Sequence, residues 1–235
     1  MAGFKTHLTV SNLCGVGYGG AAYFMYGVPL PTCVLAGGLC GISGMLPDID
    51  SGPGRPLHES LAFAAAVVPM MLLPRFQQMH MPHEAIILTA ALVYVLVRFG
   101  MGFLLKKFTI HRGMFHSIPA AAMAGELAFL LSSGDDVRIR IFNGVAVAIG
   151  FLSHLVLDEI YSVEWSHFRI KKSFGTALKF FGEGVWPNLL TYAQLAILTS
   201  AMFIDPQSPK AQRLQEGATA VQQTAERVVD QAWQR

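Results

Sequence analysis

The 235-residue chain has 53% hydrophobic residues, 14% charged residues and a mean hydropathy of +0.45. Soluble domains carry about a quarter charged residues, so this balance excludes an ordinary water-soluble domain and points to a lipid bilayer as the solvent. A formal net charge of +2 is too small to argue for a nucleic-acid partner.

A helix that crosses the hydrocarbon core needs about 20 predominantly apolar residues, and several runs approach that length. The N-terminal stretch MAGFKTHLTVSNL lacks a basic start, a short apolar core and a cleavage site, so a removable signal peptide is not expected. The first predicted span covers residues 8–28 and the second residues 31–47. Gly15 and Gly19, then Gly37, Gly41 and Gly44, form stripes of small residues on these segments. Such stripes let helix backbones approach closely in lipid, so they read as packing faces. PDIDSGPGRP at 47–56 breaks the second helix. The third segment, 60–74, is short and contains Pro69, which leaves a marginal span and a re-entrant piece both open. Residues 84–105, 117–133, 141–162 and 185–204 complete an all-α, polytopic helix bundle with six or seven spans. Beyond Pro206 and Pro209 the composition turns polar and rich in helix formers, dividing a membrane-embedded domain (1–205) from a helical tail (206–235). Cys14, Cys33 and Cys40 lie in apolar runs without metal spacing or an even disulfide framework, and read as buried packing residues.

Alternate crossings sort the polar residues. With the N-terminus on one side, His7, Asp48, Asp50, His111, His116, His154 and Asp158 all come out at that same face. Lys5, Arg55, Lys106, Lys107, Arg112, Arg169, Lys171, Lys172 and Lys179 lie there too, against Arg75, Arg138 and Arg140 opposite. Basic residues favour the cytoplasmic side, which places the ligand face at the cytoplasmic edge of the inner membrane.

SHLVLDE sets His154 and Asp158 four apart, a helical advance of ~400°, so both project from one face one turn apart. An imidazole and a carboxylate so placed can grip one cation, or form a buried hydrogen-bonded pair. HRGMFHS sets His111 and His116 five apart, about 140° out of phase on a continuous helix, so they converge only if the backbone bends at Gly113. Ser117 before Pro119 is the expected N-terminal cap of the next helix. Asp48 and Asp50 stand at alternate positions of a turn, where they share a direction or simply close the preceding helix. Ionisable groups at membrane depth cost about 2.5–3.5 kcal/mol each on insertion scales, so seven of them gathered at one face argue for function. Four His and three Asp exceed the needs of one tetrahedral zinc and suit one or two divalent ions, with Mn or Fe also compatible.

The order TH, PDID, HRGxxHS and SHLxLD over residues 5–162 resembles the YdjM-like family, described as LexA-binding inner-membrane proteins with an inferred metal-dependent hydrolase activity. That family is considered distantly similar to zinc phospholipase C and the P1-type nucleases. The resemblance implies a helical phosphoester-cleaving site built on His7, Asp48, Asp50, His111, His116, His154 and Asp158. Phe115 stands where members commonly have Thr, and EIYSVEW after Asp158 departs from the family continuation.

The expectation is therefore a membrane-bound metal-dependent hydrolase of a phosphoester, an ester or a lipid. Asp48 or Asp50 would orient water, and Arg112 would stabilise developing negative charge. A non-catalytic metal-stabilised binding module and a metal transporter are the alternatives. Membrane lipids are the expected partners, with the tail 206–235 available to a protein partner. Arg98 and Glu126 lie at equal depths, about 12–13 Å in from their helix ends by the 1.5 Å rise per residue, and are expected to pair. The Phe-, Arg- and Lys-bearing stretch 168–182 reads as interfacial.

Overall fold

The computed structural model describes residues 3–51, 55–101, 103, 114–134, 136–164, 169–170 and 175–205, and among these described residues seven α-helices can be bounded. Helix α1 (Phe4–Tyr26) stops at Gly27, whose left-handed backbone (φ +65°) lets its N–H bond back to Tyr23 O. Helix α2 (Leu30–Ser43) starts behind Pro29 and leads into a single 3-10 turn, Pro47–Ser51. The third segment resolves to a full helix, α3 (Arg55–Gln78), of which Leu57–Gln78 is long and apolar enough to cross a membrane. It runs through Pro69 and Pro74, each of which removes a backbone donor. Ser133 donates to Met71 O in the turn before Pro74, which ties a neighbouring segment to the helix there.

Helix α4 (His83–Val95) widens into a π-helical turn, Leu96–Met101. Ser117 caps α5 (Ile118–Leu131), with its Oγ accepting from Ala120 N at 3.3 Å, as its place before Pro119 predicts. Helix α6 (Val137–Ser162) begins four residues before the expected start because Asp136 caps it, accepting from Arg138 N at 2.8 Å. A two-residue antiparallel pairing of β1 (Val163–Glu164) with β2 (Arg169–Ile170) follows, and α7 (Val185–Ile204) ends the described chain. The tail after 205 lies outside the described residues.

Helix α6 occupies the centre, against α1, α2 and α5, while α7 packs on α5 and α3 on α4. In lipid, packing selects for small residues, and here they decide the spacing. A Cβ added at Gly15 would stand 2.3 Å from Gly37 O, and one at Gly150 would stand 1.9 Å from Cys40 O. Cys33 and Cys40 are buried and all three cysteines are free. Besides α3, the helices α4 with its π-turn, α6 and α7 are long and apolar enough to span. Half of the α6 span window is buried but only 6% of those in α4 and α7, so these two turn apolar side chains such as Leu88, Phe99, Trp186 and Phe203 outward, as lipid contact requires.

Candidate metal centre

Four separate stretches converge at one end of the bundle. His7 comes from the first turns of α1, Asp48 from the 3-10 turn, His116 from the turn before α5, and His154 and Asp158 from the last turns of α6. Proline at 47 and the broken end of α2 aim Asp48 back over the helix ends, and the Ser117 cap fixes the residue beside His116. The segment after β2 returns over the same region: Ile118 N donates to Lys179 O at 3.0 Å, and Ala177 is buried among Ala120, Ala121, Phe151 and Leu155.

Two triads share one residue. His7, His154 and Asp158 form one and Asp48, His116 and His154 the other, with one candidate ligand atom per residue and all atoms of a triad within 4.8 Å of one another. His7 Nε2 lies 3.3 Å from Asp158 Oδ1, and His154 Nε2 lies 3.5 Å from Asp158 Oδ2 and 3.7 Å from Asp48 Oδ1. His116 Nε2 lies 3.7 Å from Asp48 Oδ1 and 3.9 Å from Asp158 Oδ2. The His7 and His154 rings stack at 3.7 Å, and the His116 ring meets His154 edge-on at 5.5 Å.

These lengths separate the two readings of the His154–Asp158 pair. A good N–H···O hydrogen bond spans about 2.7–3.2 Å. Two atoms bonded at about 2.0–2.2 Å to one tetrahedral ion stand roughly 3.3–3.6 Å apart. The separations of 3.3, 3.5 and 3.7 Å fall at or near the second range and outside the first. Among the described residues, His116 Nε2, His154 Nε2 and His7 Nδ1 are buried without a hydrogen-bond partner, a costly arrangement unless another group uses them.

His154 carries its own orienting contact. Its Nδ1 stands 2.7 Å from Gly44 O, an acceptor, so Nδ1 bears a proton and Nε2 is turned to the carboxylates. Nε2 so placed needs a cation between it and the carboxylates, a proton or a metal ion. The donor set of imidazoles and carboxylates therefore fits a divalent metal ion. Asp48 sits where water can reach it, its side chain 27% exposed, against 4% for Asp158. Burial works against ionisation of Asp48, but the His116 imidazole, then His154 and His7, outweigh it and hold the carboxyl below its ordinary value.

Of the seven ligands expected from sequence, the structure brings five together. The side chain of Asp50 and the whole of His111 and Arg112 lie outside the described residues. Sequence reasoning missed the Gly44 carbonyl, which no side-chain pattern signals. It also missed a charge cluster at the opposite end, where Asp205 at the end of α7 meets Arg140 of α6 and, at 2.9 Å, Arg75 of α3. Arg140 is 1% exposed, gives its Nε–H to Ser132 O and lies over the Phe129 ring. The alternation that sorted the histidines would also have placed these three residues together. The expected Arg98–Glu126 pair does not form among the described residues: Glu126 Oε1 instead accepts from Thr199 Oγ1 at 2.7 Å, because α5 turns this face to α7.

A bundle with apolar outer helices and a His–Asp cluster at one end defines a helical membrane protein with a candidate metal centre. The chain belongs to the YdjM inner membrane protein family, whose family model matches residues 1–178. That range holds all five converging residues and ends before α7. No curated protein and no solved structure gives a significant match.

Proposed function

We propose that the protein is a multi-pass inner-membrane hydrolase that uses one or two divalent ions, zinc being the first candidate, to cleave a phosphoester or ester at the cytoplasmic face. The observation that carries this reading is the pair of triads joined at His154, with ring nitrogens that have no hydrogen-bond partner. When bound, a divalent cation supplies Lewis acidity, acidifying water and polarising the oxygen under attack. His7, His154 and Asp158 form the buried part of the cradle, and His116 and Asp48 its more open side. Asp48 is ionised and solvent-accessible, which suits it to orient the attacking water. The water oxygen bonds to phosphorus or acyl carbon, the bond to the alcohol oxygen breaks, and that oxygen receives the water's proton. Arg112 and Asp50 retain the roles expected from sequence, charge stabilisation and ligation.

The transporter alternative asks for a polar path through the bundle. The two ends are unlike: metal-ligand types gather at one, and an arginine–aspartate cluster occupies the other. The test is elemental analysis of detergent-purified protein together with turnover of phosphoester and ester substrates. Bound metal with turnover that disappears in folded His116→Ala and Asp158→Ala proteins supports the enzyme. Metal without turnover leaves the binding module, and metal-dependent uptake into proteoliposomes supports the transporter.

A further inference from the structure

A cavity of about 600 Å³ lies between the start of α1, the end of α2 and the start of α3, in the same stretches of α1 and α2 that carry His7 and lead into Asp48. Phe4 and Leu8 of α1, Ile42 and Met45 near the end of α2, and Ala62 and Phe63 of α3 line it. The placement is specific. Phe4 and Leu8 stand four apart on α1 and bracket His7, while Met45 precedes the Pro47–Asp48 turn. The same two stretches of chain thus supply apolar walls to the cavity and ligand atoms to the centre. The volume lies within the ~300–1,000 Å³ range of ligand pockets.

We propose that this cavity seats a hydrocarbon chain of a membrane lipid whose ester or phosphoester lies at the His–Asp centre, so that the substrate class is a bilayer lipid. The inference rests on the hydrolase reading and names its substrate. Three features select a lipid chain over a soluble ligand. The lining is apolar except for Glu59, which sits exposed in the first turns of α3. Glu59 is exposed, so its carboxylate can stay in water while a chain lies against the apolar walls. The helices that wall the cavity continue into outward-facing apolar surface, with Leu13 and Val16 on α1 and Met70 and Leu73 on α3. A lipid can therefore reach the cavity from the bilayer without its chain crossing water.

Photolabelling tests it. Full-length protein is reconstituted in phosphatidylethanolamine–phosphatidylglycerol vesicles doped with phosphatidylethanolamine bearing a diazirine near the end of one acyl chain. Labelled peptides are mapped, and metal content is measured on the same samples. The expected result is label enriched several-fold on the segments holding Phe4, Leu8, Ala62 and Phe63 over the lipid-facing helices α4 and α7. Ala62→Trp, which fills the cavity, should abolish that enrichment and leave metal content unchanged. Added glycerol phosphate should leave the label in place, a wild-type measurement that stands even if the variant fails to fold, and displacement by glycerol phosphate overturns the proposal. Label spread evenly over every lipid-facing helix, or unchanged by Ala62→Trp, overturns the proposal. An unlabelled cavity in metal-loaded protein sinks the lipid assignment alone, whereas a labelled cavity in protein that binds no metal sinks the hydrolase reading and the substrate claim with it.

Discussion

His154 is the residue whose loss should do most harm, because it belongs to both triads. Removing His7 leaves Asp48, His116 and His154 in place, and removing His116 leaves His7, His154 and Asp158. His154→Ala cuts both sets to two ligands. Structural zinc sites bind with apparent free energies of about 10–16 kcal/mol spread over four ligands, or roughly 2.5–4 kcal/mol per ligand. At 1.4 kcal/mol per tenfold, one lost ligand weakens metal binding about 10²- to 10³-fold. The substitution also strips the Nδ1 donor from Gly44 O, and an unsatisfied buried acceptor costs about 1–3 kcal/mol of metal-free stability. Two measurements separate these effects: chelator competition for affinity, and thermal unfolding of metal-free protein for stability. His154→Ala should be the weakest binder of the three alanine variants and should also melt earliest without metal. If it holds as much metal as His7→Ala or His116→Ala, with equal affinity, the shared-ligand geometry is wrong.

Other outcomes follow from neighbouring contacts. Ser117→Ala removes the α5 cap and should cost about 0.5–2 kcal/mol in equilibrium unfolding, with weaker metal binding because His116 is the adjacent residue. Gly150→Ala should destabilise by about 1–3 kcal/mol, since its Cβ would press on Cys40 O at 1.9 Å; an unchanged melting temperature would refute the close α2–α6 contact. Asp205→Asn leaves the buried Arg140 guanidinium without its carboxylate and should cost about 3–5 kcal/mol in detergent unfolding, with no change in metal stoichiometry because the centre lies at the other end. Thr199→Val should destabilise by about 1–3 kcal/mol by stripping the donor from Glu126 Oε1, whereas Glu126→Gln keeps an acceptor there and should be tolerated.

Local rules made much of this structure legible. Helical phase alone put His154 and Asp158 on one face, and a serine before a proline marked the start of α5. The segment at residues 185–204 coincides with α7, a mostly apolar run flanked by a glycine and an aspartate. Alternation of helix ends was enough to bring His7, Asp48, His116, His154 and Asp158 to one place. What escaped depended on rotation and on backbone. Arg98 and Glu126 share a depth, but depth does not say which way a helix is turned, and Glu126 faces Thr199. A short apolar run containing Pro69 left a marginal span and a re-entrant piece both open for the third segment, whereas α3 runs unbroken through that proline from Arg55 to Gln78. The Gly44 carbonyl orienting His154 belongs to no side chain, and so leaves no trace in residue identities.

The Arg75–Asp205–Arg140 clasp bears on how the molecule is made. Its acid comes from the last residue after α7, while its bases come from α3 and α6, which leave the ribosome earlier. Until Asp205 emerges, the nascent bundle holds the Arg140 guanidinium without this carboxylate. A chain stopped short of residue 205 thus carries an uncompensated arginine, and the emergence of the residue after α7 is the step that neutralises it.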